Sequence, residues 1–164
     1  MIVEALGLGD LHLDGGLKQY VPNLNEVICD EIRTILKYAK RNGINKIIFY
    51  GDIAHKPILS VEATLLFLNV MQDHSTMKFY VMAGNHDVEH EGQNSLLMLK
   101  HICESGWLQH VKVIDTPKRF NLGTKSDPAP FNFLPWPAVE TQAKTVNVLH
   151  CEAAGAVWDS GSAV

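Results

Sequence analysis

Up to Trp107 the apolar positions follow two alternating rhythms. Short, nearly continuous apolar runs occur at Ile2 to Leu8, Lys46 to Tyr50 (KIIFY) and Met77 to Met82 (MKFYVM). Each predicts a buried strand. Between the first two, residues Asn25 to Asn42 place Val27, Ile28, Ile32, Ile35, Leu36 and Ala39 at helical spacing, and Gly43 supplies a stop. The stripe Val27, Ile32, Ile35 and Leu36 is expected in the core. Ser60 suits the N-cap of a second helix running to about Gln72, and a third is expected over Ser95 to Cys103. After Trp107 the helical rhythm stops. The short extended runs HVKVID, RFNLG, FNFLPW and TVNVLH follow, punctuated by Pro117, Pro128, Pro130, Pro135 and Pro137. Strand and helix alternate first, and strands then dominate. That order predicts parallel βαβ units whose sheet continues into, or packs on, a second sheet.

Composition narrows the class without naming a chemistry. The chain has 164 residues, 46% of them hydrophobic and 20% charged, which is ordinary for one globular domain with its own core. The net charge of -4 argues against nucleic-acid binding through a broad basic surface. If the protein handles nucleic acid, metal ions or a partner must offset the phosphates locally. Cys29, Cys103 and Cys151 are scattered and odd in number, which excludes a disulfide framework or a cysteine-rich zinc knuckle and fits a reduced, cytoplasmic setting. The start MIVEALGLGD has no signal-peptide character, and no apolar stretch approaches membrane-spanning length.

Chemistry concentrates where the strand candidates end. GLGDLHLD carries Asp10 and His12, FYGDIAH carries Asp52, VMAGNHD carries Asn85, His86 and Asp87, and VNVLHC carries His150. Ligands of parallel α/β sheets sit beyond the carboxyl ends of the strands, so these groups are expected to meet in space. Carboxylate, imidazole and amide oxygen are the donors that hold hard or borderline divalent cations. Gly9, Gly51 and Gly84 are expected to let the backbone turn sharply and to bring the ligands close. Asp52, between two other ligand pairs, is placed to bridge two cations. Such a pair, roughly 3.5–4 Å apart, activates water and neutralises a phosphoryl group.

GDLH, GDIAH and GNHD, in this order and followed by a later histidine, resemble the calcineurin-like metallophosphoesterase superfamily. Its pattern runs D-x-H, G-D, G-N-H-[DE], H and G-H-x-H. Within it the chain is most similar to SbcD-type nucleases and phage recombination-endonuclease subunits, on the GDI segment, Leu134 to Trp136 (LPW) and the His150 segment LHCEAAGA. The protein phosphatases of the superfamily carry G-D-x-x-D-R-G, and GDIAHKP departs from that. The resemblance implies an α/β sandwich of two central β-sheets flanked by helices. It implies Asp10 and His12 as ligands of one metal, Asp52 as the bridge, and Asn85 and His150 as ligands of the other. His86 would contact the scissile phosphate and protonate the leaving group, and Asp87 would orient His86. The cofactors implied are two divalent metal ions, manganese first, with magnesium or iron as alternatives. The activity implied is phosphodiester hydrolysis on DNA, exonuclease or endonuclease, in repair or recombination. The partners implied are DNA, a coiled-coil ATPase subunit and a second copy of the chain in a homodimer. The location implied is the cytoplasm, that of the host cell if the protein is phage-encoded.

Two alternatives share these motifs. One is a small-molecule or cyclic-nucleotide phosphodiesterase, and the other is an inactive binding or regulatory module. The second draws on a departure from the pattern: no G-H-x-H follows His150 before Val164. Residues 1–164 are therefore expected to form one metallophosphoesterase domain with an incomplete C-terminal part, each ion short of one imidazole. A further departure is His55, where related nucleases carry Asp. His55 and His90 flank the motifs and are candidates for touching substrate or metal. His74, His101 and His110 are expected at the surface, the cysteines as small apolar side chains, and Trp136 beneath the site loops.

Overall fold

The computed structural model describes residues 4–88 and 94–150. Strand β1 (Leu6–Leu8), helix α1 (Leu24–Arg41), strand β2 (Lys46–Phe49), helix α2 (Val61–Asp73), strand β3 (Lys78–Met82), helix α3 (Leu97–Glu104) and strand β4 (Val111–Ile114) come first. The strands β5 (Lys118–Asn121), β6 (Pro130–Leu134) and β7 (Val146–Leu149) follow. β1 to β4 form a parallel sheet in chain order, and each helix is the crossover between neighbouring strands. A second sheet runs β5-β6-β7, antiparallel between β5 and β6 and parallel between β6 and β7. The fold is the α/β arrangement of two sheets with flanking helices that the family resemblance implies, and of the two outcomes the element pattern left open it is the packed second sheet.

The near-continuous apolar runs are explained by burial on both faces. Ile47, Phe49, Phe79, Val81 and Val111 pack against Cys29, Ile32, Leu36, Phe67, Leu68, Met71 and Leu99 from the helices. Alternate residues Ile48, Tyr80, Met82 and Ile114 face the second sheet, where they meet Leu122, Phe131 and Phe133. Aromatic rings fill that second core. Tyr80 stacks on Phe133 at 5.5 Å between centroids and meets Phe120 edge-on at 5.3 Å. β1, β2 and β3 run parallel and end at one pole of the molecule, and the end of β7 reaches the same pole through His150, which lies against Tyr50 and Asn85.

Helix boundaries follow their caps. The hydroxyl of Ser60 accepts from the Ala63 N–H at 3.1 Å, as expected of an N-cap. α1 ends at Asn42, with Gly43 at φ +75. The expectation for α1 is corrected at two positions: Val27 is exposed and Ile35 is only half-buried, and the buried stripe is Asn25, Cys29, Ile32, Leu36 and Ala39. Asn25 occupies an inward position because its side chain holds Asp14: its Oδ1 accepts from the Asp14 N–H and its Nδ2 donates to the Asp14 carboxylate. His74 and His110 are part-buried rather than surface residues. They lie against the Val70 and Met71 carbonyls near the end of α2, at 2.9 and 3.0 Å.

Candidate metal centre

Beyond the ends of β1 and β2 the chain continues as two loops laid side by side. Asp10, His12 and Leu13 donate their N–H groups to the carbonyls of Gly51, Asp52 and Ile53, and His55 donates back to Leu13. Within this ladder Asp10, His12 and Asp52 take left-handed φ values of 54, 46 and 51. Asp and His tolerate that region better than most residues, at a strain on the order of 1 kcal/mol each. The expectation that all three glycines make sharp turns is corrected accordingly, while their closeness to the ligands holds at Gly84. Among Gly9, Gly51 and Gly84, only Gly51 has a positive φ, at +122. Gly84 matters for close approach, since a Cβ there would collide with the amide and carboxylate of Asp52.

Asp52 lies at the centre, 3% exposed. Its Oδ1 accepts from the His86 N–H at 3.0 Å and lies 3.3 Å from His150 Nε2. Its Oδ2 faces His12 Nε2 at 3.7 Å and His86 Nε2 at 4.0 Å. The two carboxylate oxygens therefore address different sets of side chains. Asp10, His12 and Asp52 each bring one ligand atom to within 4.8 Å of one another, and so do His12, His55 and His86. His150 arrives from β7 and joins Asn85, with Nε2 at 2.8 Å from Asn85 Oδ1. All the candidate residues from the four strand ends thus gather at one pole. His90 and Cys151 lie outside the described residues. Trp136 donates its backbone N–H to Ala83, tying the end of β6 to the end of β3 beneath the loops.

Asp87 departs from its expected part. Its carboxylate is fully buried and accepts from the backbone N–H groups of Ile53 (3.2 Å), Ala54 (2.9 Å) and Gly84 (2.9 Å) and from the Ser95 hydroxyl (2.8 Å). Burial pushes its pKa up, and these donors partly offset the rise. The His86 ring is oriented from elsewhere: its Nδ1–H donates to the His55 carbonyl at 3.2 Å. Asp87 is occupied with joining the loop that carries Asp52 to the loop that carries Asn85 and His86. Ser95, outside the motifs, and Asp14, the last residue of GLGDLHLD, are supporting residues rather than candidate ligands. Burial opposes the charge of Asp14, yet hydrogen bonds from Asn25, Ser60 and Lys18 hold its pKa at about 2. Asp14 thereby fastens the first loop to the start of α2.

The donor set fits divalent cations. Nδ1–H of His150 donates to the Tyr50 carbonyl at 3.1 Å, which turns Nε2 toward the oxygens of Asn85 and Asp52, at 2.8 and 3.3 Å. A cation accommodates such a meeting, and a backbone carbonyl behind the ring is the usual support of a metal-binding histidine. His12 Nδ1 is buried without a hydrogen-bond partner among the described residues.

This fold and these motifs define a metallophosphoesterase, and the chain belongs to the calcineurin-like phosphoesterase family, whose pattern matches residues 5–150. The chemistry of that family is metal-dependent hydrolysis of phosphoesters. Among curated proteins the chain is similar to exonuclease subunit 1 of Enterobacteria phage T4, at 28% identity over 142 residues. The match covers 82% of this chain and 38% of that relative, so the chain spans well under half of the relative's length. Among the described residues no helix is long and apolar enough to cross a membrane.

Proposed function

We propose that the chain is the catalytic domain of a nuclease of the SbcD type, hydrolysing phosphodiester bonds in DNA with two divalent cations, manganese first among them. The observation that carries the reading is the division of labour at Asp52, with one oxygen toward His12 and the other toward His150. Asp10, His12 and Asp52 would hold one ion; Asp52, Asn85 and His150 would hold the other. The ions supply charge neutralisation at the phosphoryl group and activation of water. They also relieve the electrostatic difficulty of an acidic protein acting on a polyanion. His86 keeps its Nδ1 proton on the His55 carbonyl, so Nε2 is the nitrogen presented to the site. From there it would hand a proton to the departing sugar oxygen, a step worth about 10²–10⁴ in rate. Asp87 contributes by keeping the two loops in register.

The phage relative is named as an exonuclease subunit, which supports DNA as substrate and a place in a multi-subunit complex. The complex proposed comprises a second copy of this chain and a coiled-coil ATPase, in the cytoplasm. The test compares a linear duplex, bis-p-nitrophenyl phosphate and a cyclic nucleotide in manganese, for the parent and for Asp52→Asn. Cleavage of the duplex by the parent, and a loss of at least about 10²-fold in the variant with bound metal lowered, is the expected result. Asp52→Asn activity within a few-fold of the parent would overturn the bridging role. Turnover of the small esters with DNA untouched would move the reading to a small-molecule phosphodiesterase.

A further inference from the structure

We propose that His12, His55 and His86 form a nitrogen-only cation position that takes zinc or a similar borderline transition metal, and that an ion there silences the neighbouring carboxylate-bearing position. The three rings lie side by side, His55 and His86 stacked and His12 edge-on to both. Their centroids are 5.5 Å apart for His12 and His55, 4.9 Å for His12 and His86, and 5.8 Å for His55 and His86. Each brings a ligand nitrogen to within 4.8 Å of the others. Zinc–nitrogen bonds of about 2.0–2.1 Å would draw those atoms together by a small closure of side chains at the rim. All three rings reach solvent, so an ion can enter without opening the core. His86 is already posed as a ligand, with Nδ1–H on the His55 carbonyl and Nε2 turned toward the site.

Donor chemistry separates this position from its neighbour. Asp10, His12 and Asp52 offer two carboxylates and one imidazole, a set suited to manganese or magnesium. Three imidazoles without a carboxylate favour zinc, copper or nickel. His12 belongs to both sets, so the two positions cannot be filled together with full ligation. Zinc on the nitrogen set takes His12 from the catalytic ion and occupies the nitrogen that His86 presents to the substrate. Binding of the two metals is therefore antagonistic, and by linkage each weakens the other by the same factor. The antagonism rests on the reading that Asp10, His12 and Asp52 hold a catalytic ion. His55 discriminates the sets, because its ring belongs only to the second.

The experiment is isothermal titration of the metal-stripped full chain with zinc chloride and separately with manganese chloride, for the parent and His55→Gln. Cobalt(II) serves as a coloured stand-in for zinc. His55→Gln should weaken zinc binding by about tenfold or more and lose the visible cobalt band of a low-coordinate nitrogen site. Manganese affinity should stay within a few-fold. Excess zinc should displace manganese from the parent and do so less readily from the variant. Zinc affinity unchanged in His55→Gln, or no tight zinc binding by the parent, overturns the proposal. Failure of the nuclease reading shows differently, as absent phosphodiester turnover in manganese, and leaves the zinc titration readable.

Discussion

At the scale of single residues the centre depends on atoms that leave no room beside them. Gly84 lies against Asp52 so closely that a methyl group would displace the carboxylate or its amide. Gly84→Ala should therefore lower manganese affinity by about tenfold or more while helices and strands persist, because the collision falls on the loops rather than on a core. Metal titration and far-ultraviolet circular dichroism check this together, and unchanged affinity would mean that the loop shifts without cost. Asp10, His12, Asp52, Asn85, His86 and His150 were legible because their side-chain chemistry is visible in the sequence and strand ends converge. Their left-handed backbone was not, since Asp and His carry no mark of φ. The use made of Asp87 was equally hidden. A carboxylate beside a histidine invites pairing with it, whereas backbone N–H groups from Ile53, Ala54 and Gly84 become its partners only after folding.

Among the elements, the apolar pattern located every strand and α-helix of the described residues, most with boundaries off by a residue or two, although β1 starts only at Leu6 within the run from Ile2 to Leu8. Doubly buried strands such as β2 and β3 are near-continuous apolar runs, and such runs stand out. Helix faces are read less finely. Val27 fell on the exposed side of α1 because polar Asn25, tied to Asp14, occupies an inward position there. The helices also decide the behaviour of the thiols. Burial raises Cys29 on α1 and Cys103 on α3 from 9.0 to about 11. At neutral pH the thiolate fraction of each is then about 100-fold below that of a free thiol. Both should label slowly with iodoacetamide in the native protein and rapidly in urea, followed by peptide mass mapping. Rapid native labelling of Cys29 would show that α1 opens locally. The unfolded chain releases these protons near pH 9 and the folded chain near pH 11. Thiol ionisation therefore lowers stability as pH rises above 9, not below it.

For the whole molecule, the decisive feature is that the centre draws on both sheets. Asp10, His12, Asp52, Asn85 and His86 follow strands of the first sheet, whereas His150 follows β7 of the second and reaches across to Tyr50, Asn85 and Asp52. Between the sheets the contact is an apolar layer around Phe133, Tyr80 and Met82, and at the rim it becomes polar. On the proposed reading, a cation held by Asp52, Asn85 and His150 joins the sheets at that rim, and metal binding then contributes directly to stability. Manganese at about 100 times its dissociation constant should stabilise the fold by about 2.7 kcal/mol. For a domain of this size that corresponds to a rise in Tm of about 5–10 °C. His150→Ala removes the only described ligand candidate from the second sheet without touching the aromatic layer. Its metal-free Tm should lie near that of the parent, and its manganese-dependent rise should fall to less than half. Thermal unfolding in manganese and in EDTA, for both proteins, measures the two quantities separately. An equal rise in parent and variant would mean that the ions are held by the first sheet alone and that β7 only covers them.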